Sequence, residues 1–157
     1  GKLRRSTTII RDQMERYSKR NIEIHDALVE SKKIATKMKD SLLTGRLNEF
    51  GYLLDQAWVQ KKKFSSMISS PSIDEIYDTA RKNGALGGKI LGAGGGGFML
   101  LFCESDQKHA VSKAVIEMNT DIVDFSFSTR GVTSWEVNSD KEKPWTNGNE
   151  IRSPRAQ

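Results

Sequence analysis

Between Ile90 and Phe98 the chain reads Leu91-Gly92-Ala93-Gly94-Gly95-Gly96-Gly97, and Phe98-Met99-Leu100-Leu101-Phe102-Cys103 follows as an unbroken apolar run. Four consecutive glycines break any helix, because each loses more backbone freedom on folding than any other residue. The apolar run has the length of a strand buried on both faces. A loop feeding a strand is therefore imposed on the middle of the chain. Five of its 13 glycines fall within six positions. Either the loop needs dihedrals closed to other residues, or something approaches its main chain closely.

The flanking sequence supplies the remaining elements. Ile10, Met14, Tyr17, Ile24, Leu28, Ala35, Met38 and Leu42 fall at helical spacing without a proline, which predicts one long helix over 6–40, ended at Thr44-Gly45 by a left-handed glycine. Leu47, Phe50, Leu53, Leu54, Ala57 and Trp58 form the apolar side of a second helix over 46–66. Ser69-Ser70-Pro71-Ser72 is a break, and Ser72 with Glu75 reads as a capping box for a third helix, Ile73 to Lys82, closed by Asn83-Gly84. Asp74 reads as a first-turn charge of that helix. Lys89 to Leu91 and Phe98 to Cys103 are strand candidates, and Asp106 is placed to cap a fourth helix carrying Ala110, Val111, Ala114, Val115 and Met118. Val123, Phe125 and Phe127 alternate with polar residues, as do Thr133, Trp135 and Val137 beyond Arg130-Gly131, so 122–137 reads as a hairpin. Helices and strands are largely segregated, which predicts an α+β fold with an antiparallel or mixed four-stranded sheet packed against helices. The domain is expected over 1–137, with the polar stretch 138–157 as a mobile tail.

Composition narrows the class. A chain of 157 residues with 36% hydrophobic and 29% charged content suits one soluble domain with its own core. No apolar run approaches the ~20 residues of a membrane span, and Gly1-Lys2-Leu3-Arg4-Arg5, running into an amphipathic segment, is not expected to be a signal peptide. Gly1 in place of an initiator Met reads as a cloning boundary or the scar of a tag. The single cysteine, Cys103, leaves no internal disulfide framework and fits a reducing, cytoplasmic setting. At the end of an apolar strand it reads as a small buried hydrophobe. His25 and His109 stand alone, without metal-ligand spacing. Trp58 and Trp135 read as core. The net charge of +5 suits an anionic partner or simply a solvated basic surface.

Gly92, Gly94 and Gly97 fit G-x-G-x-x-G, but a dinucleotide fingerprint opens a helix, whereas a strand follows here. No Gly-Lys-Ser/Thr completes an ATP-binding P-loop either. Two readings survive: a wide turn between strands, and a concave surface of unshielded amides for an anion. Four glycines in a row exceed what a turn requires, which favours the second.

Four stretches in one order carry a resemblance: Arg5 to Gln13, Trp58 to Phe64, Ile68 to Asp74, and Gly84 to Phe98. Over residues 4–137 the chain resembles the C-terminal half of a GHMP-family small-molecule kinase, nearest to the D-glycero-D-manno-heptose 7-phosphate kinase and fucokinase-like branch. The resemblance implies a ferredoxin-like domain of an ATP- and Mg2+-dependent sugar or sugar-phosphate kinase. It implies that Gly92, Ala93, Gly94, Gly95, Gly96 and Gly97 lie beside the nucleotide phosphates and the acceptor. Fixed amides suit phosphoryl transfer, which needs positioning and charge stabilisation more than covalent chemistry. It also implies Lys61, Lys62 and Arg5 as candidates for a sugar-phosphate contact. Without it, Lys61-Lys62-Lys63 reads as a solvated helix end near the negative dipole. The family's glycine- and serine-rich phosphate loop and catalytic carboxylate belong to an N-terminal half absent from this sequence. The catalytic residues are expected there, that half and the sugar or sugar phosphate are the expected partners, and this chain alone is expected to be inactive. Asp55-Gln56 stands where that branch has His-Glu. Two other functions compete: a basic α+β module binding nucleic acid, and a stand-alone module binding a metabolite through the glycine loop. Stacking aromatics for the former should lie exposed on strands, whereas Phe98 and Phe102 belong to a run that reads as buried.

Overall fold

The structure, a computed structural model, describes residues 6–134. Five helices and two strands follow in the order α1 (Ser6–Ser18), α2 (Ile22–Leu43), α3 (Leu47–Lys62), α4 (Pro71–Lys82), β1 (Ala85–Ile90), β2 (Met99–Cys103) and α5 (Lys108–Ile116). The α+β class holds. Among the described residues no helix is long and apolar enough to cross a membrane.

The single helix expected over 6–40 is two helices. Arg20 adopts a left-handed φ of 54°. Asn21 is extended, and its side chain accepts the Ile24 N–H at 3.3 Å to cap α2. Apolar spacing cannot reveal this break, because the stripe continues on either side of it; the cap decides it. Gly45, with φ 70°, ends α2 as the sequence predicts. Helix α4 starts earlier than expected. Ser70, not Ser72, is its cap and accepts the Ile73 N–H at 3.4 Å, while Pro71 fills the first turn, where no N–H is missed. Asp106 does not cap α5; Gln107 holds that position without a side-chain bond.

Strands β1 and β2 pair antiparallel, Ala85 opposite Cys103 and Ile90 opposite Met99, with an irregularity between Ala85 and Gly87. Gly87-Gly88 hid most of β1 from a sequence reading, since glycine is depleted in strands. Strand β2 is half-buried along its length rather than buried on both faces. It is an outer strand: in the described residues the sheet has two strands, not four. The expected hairpin over 122–137 shows no strand in residues 122–134, and 135–137 lie outside the described residues. An alternating pattern makes a strand only where a neighbouring edge takes up its hydrogen bonds. The chain divides into two compact units at Val123/Asp124. In the second, Phe125 and Phe127 meet edge to face at 5.4 Å, and the Ser128 hydroxyl accepts the Arg130 N–H at 3.2 Å. The 138–157 segment, including Trp145, lies outside the described residues, as does Trp135.

Helix α3 packs on the sheet main chain to main chain. A Cβ on Gly87 would fall 2.1 Å from the Gly51 carbonyl oxygen and 2.7 Å from the Asp55 nitrogen. A Cβ on Gly51 would fall 2.7 Å from the Phe102 ring. Beside this seam the Phe50 and Phe102 rings meet at 5.6 Å, edge to face. Ile9 of α1, Trp58 of α3, Ile68, Tyr77 of α4 and Ile90 of β1 form one buried cluster. Ala80, Ala85, Val111 and Val115 form a second beneath α4 and α5, and Leu101 touches both.

Gly87→Ala is expected to cost about 3 kcal/mol, the upper range for overpacking, because the atoms in the way belong to backbone. Gly45→Ala, whose added Cβ meets nothing within 4 Å, should cost about 1 kcal/mol through its left-handed φ alone. Urea unfolding of the two variants checks the ranking; equal midpoints would contradict the seam.

Candidate functional site

The glycine loop begins where the strand pairing ends. The Leu91 N–H donates to the Phe98 carbonyl at 2.9 Å, closing 92–97 into a loop between β1 and β2. The φ angles are 72° at Gly92, 111° at Gly94, 77° at Gly95, 144° at Gly96 and 89° at Gly97. No other residue adopts such a run, so backbone shape explains the composition. Gly94 is also pressed against the core, where a Cβ would lie 3.0 Å from the Cα and Cγ2 of Ile68. At Gly92 and Gly97 an added Cβ would meet nothing within 4 Å, so that side of the loop is open. Successive amides without side chains, on a backbone held at positive φ from Gly94 to Gly97, are unshielded donors that an anion could approach. One donor is already committed: the Gly95 N–H donates to the Ile68 carbonyl at 2.8 Å.

The predicted lysines divide between two places. Lys61, in the last turn of α3, donates to the Ile90 carbonyl at 2.8 Å and to the Gly92 carbonyl at 2.6 Å. Burial, and then the positive charge of Lys89, push its amine down to about 8. Lys62 lies 3.2 Å from the Asp74 carboxylate and 5.7 Å from the Trp58 ring centre. Asp74, in the first turn of α4, also accepts the Ser69 hydroxyl at 2.8 Å, so α3 and α4 are joined through this carboxylate. Arg5 lies outside the described residues. The structure thus brings Lys61 to the loop and Lys62 to the neighbouring helix junction.

Other residues take the roles their surroundings dictate. Trp58 is wholly buried, as expected. Asp55, at the position where the resemblance leads one to expect histidine, accepts the Tyr77 hydroxyl. Burial, followed by this carboxylate, holds the Tyr77 phenol above its usual range. Cys103 is half-buried, and burial raises its thiol, which disfavours the reactive thiolate. His25 is exposed beside Asp26 at 3.5 Å, and His109 is exposed as well. Among the described residues no three His, Cys, Asp or Glu side chains gather as a metal site. A sequence reading missed the Ile68 tether and the direction in which Lys61 reaches. The adjacency of Ile68 to a break offered a hint, but a main-chain acceptor leaves no mark in residue type.

Residues 38–120 match the family described as GHMP kinases C terminal. The chain is 36% identical over 112 residues to the D-glycero-alpha-D-manno-heptose 7-phosphate kinase of Campylobacter jejuni, covering 71% of this chain and 33% of that protein. It is 31% identical over 100 residues to the L-fucokinase/L-fucose-1-P guanylyltransferase of Bacteroides fragilis, covering 63% of this chain and 10% of the relative. Mevalonate kinase of L. major, solved in complex with R-mevalonate, superposes with a TM-score of 0.67 at 22% identity, over 73% of this chain and 35% of the other, a likeness of fold. The chain spans a third or less of the length of these curated relatives.

Lys61 should titrate near 8 in the folded chain, against an ordinary 10.5, when followed through its side-chain NMR resonances. Lys89→Met should raise that midpoint. The folded-state value lies below the unfolded one, so the folded chain binds fewer protons between these values. Its stability contribution therefore grows as pH rises through that window, and at lower pH the fold bears the charged, half-buried amine. A midpoint at the ordinary value would contradict the burial of this group.

Proposed function

The chain belongs to the GHMP kinases, whose C-terminal domain it carries, and on that premise we propose that it is the C-terminal half of an ATP-dependent sugar or sugar-phosphate kinase. The acceptor class we favour is a heptose 7-phosphate. The observation that carries the proposal is the set of positive φ angles at Gly92 and from Gly94 to Gly97, with open space beside Gly92 and Gly97. A loop of that shape offers main-chain donors to a migrating phosphoryl group without reorganising during transfer. The identity to the Campylobacter jejuni heptose 7-phosphate kinase supports the choice of acceptor.

In this reading the loop amides orient and partly neutralise the phosphoryl oxygens. ATP, when bound, supplies the phosphoryl group that passes to an acceptor hydroxyl. As the family resemblance implies, the metal's ligands, the catalytic carboxylate and the second phosphate loop are assigned to the N-terminal half of the same kinase. Without that half the chain is inactive. Lys62, Arg5 and the remaining N–H of Lys61 are the candidates for the acceptor's own phosphate. The four-stranded sheet, a domain over 1–137 with 138–157 as its tail, and a cytoplasmic location belong to the same proposal.

The test is ADP release from the intact enzyme with ATP and D-glycero-D-manno-heptose 7-phosphate. Gly96→Val places a β-branched residue at a φ of 144° and should lower kcat by about 100-fold, the scale of a lost oxyanion donor. Its circular dichroism should be unchanged. Unaltered kinetics would remove the loop from the reaction, and tight nucleotide binding by the chain alone would favour a stand-alone binding module.

A further inference from the structure

A lysine in the last turn of a helix ordinarily meets water or its own helix's final carbonyls. Lys61 does neither with two of its N–H groups. It reaches across to Ile90 and Gly92, 29 and 31 residues away in sequence. These two carbonyls flank Leu91, whose N–H turns the other way, to Phe98 across the sheet. Main-chain groups of successive residues in an extended segment point to opposite sides. The carbonyl of Ile90 therefore belongs to the side of β1 away from β2, an edge with no strand beside it among the described residues, and the carbonyl of Gly92, just past the strand's end, converges on the same ammonium group. One ammonium group thus satisfies the last edge acceptor of β1 and the first carbonyl of the loop, and holds the two together.

The charge around Lys61 fits this role. Lys89 of β1 repels it, and among the described residues no carboxylate pairs with it. Its neighbour Lys62, by contrast, is held by Asp74 of α4. A half-buried cation without a counter-ion is costly, and here carbonyl dipoles alone offset the cost. The cation is fixed immediately beside Gly92, at the start of the run of positive φ angles. The far part of the loop is held separately, through Gly95 and the buried Ile68.

We propose that Lys61 is a positioning residue for the glycine loop: by gripping the Ile90 and Gly92 carbonyls together it sets the direction in which the loop leaves β1. Its consequence for phosphoryl transfer rests on the function proposed above; its effect on loop order does not. The ammonium side chain acts through the main chain and leaves an uncompensated positive charge at the loop's mouth, which favours an anion there.

Amide hydrogen exchange on the intact chain tests the positioning. In Lys61→Met, exchange at Leu91 and Gly95 should quicken about 10-fold or more, as expected when local opening becomes easier, while Leu54 in the α3 core stays as slow as before. Lys61→Arg, which keeps charge and donors, should restore the protection. Unchanged exchange at Leu91 and Gly95 in Lys61→Met overturns the proposal. If Lys61→Met fails to fold, the unaltered protein decides: the carbonyl 13C resonances of Ile90 and Gly92 must titrate together with the Lys61 side chain, and carbonyls that ignore its titration overturn the proposal. Kinetics of the intact kinase separate the two levels. Faster loop exchange with a raised KM for ATP and a lowered kcat, both recovered in Lys61→Arg, supports positioning and phosphate binding alike. Faster exchange with unaltered kinetics supports the positioning role and sinks the phosphate-loop reading.

Discussion

The fold turns on a contact that has no side chains in it. Gly51 of α3 and Gly87 of β1 bring two backbones so close that a single methyl group at Gly87 would overlap the carbonyl oxygen opposite. Interiors pack at crystal-like density, so a seam of this kind sets the distance and direction of everything attached to either side. Because α3 lies flush on β1, its last turn arrives level with the end of the strand. That is where Lys61 meets Ile90 and Gly92, and where the connection from α3 to α4 passes under the glycine loop.

The loop is consequently both unusual in backbone and firmly moored. Its dihedrals are ones only glycine tolerates at length, which by itself would describe a floppy segment. Three tethers of different kinds oppose that: a strand-end hydrogen bond from Leu91 to Phe98, a loop-to-core bond from Gly95 to Ile68, and the two Lys61 bonds at its start. Preorganised main-chain donors are effective toward developing negative charge because they need not be recruited at the moment of reaction. The adjacent lysines illustrate how position alters the use of one residue type. Lys62 is balanced by Asp74, whereas Lys61 meets only carbonyl oxygens and carries a lowered amine pKa through burial and Lys89.

Much of this was legible beforehand, for identifiable reasons. The Gly45 cap, the apolar side of α3 with Trp58 in the core, and the loop-then-strand order all follow from strong local preferences that tertiary contacts reinforced. The misses arise where local signals compete or fall silent. Arg20-Asn21 divides a continuous apolar stripe, because a good cap outweighs periodicity. Ser70 takes the cap from Ser72, because Pro71 suits the first helical position. Strand β1 was largely hidden because its glycines serve the approach of α3, a reason located elsewhere in the chain. Strand β2 read as buried on both faces, yet it is half-buried along its length, because an apolar run does not say how fully each face is covered.

What the amino-acid sequence determined by itself is whatever depends on the near neighbours of each residue: where helices stop, where an extended apolar run must be covered, and that four glycines in a row abolish side-chain shielding over one short segment. Which groups would be brought to that segment was decided only by tertiary structure. The carbonyl of Ile68, the ammonium of Lys61 and the backbone of α3 come together through hydrogen bonds and close packing between residues far apart in sequence. A main-chain acceptor has the same composition everywhere along the polypeptide, so only its position in the folded chain tells it apart.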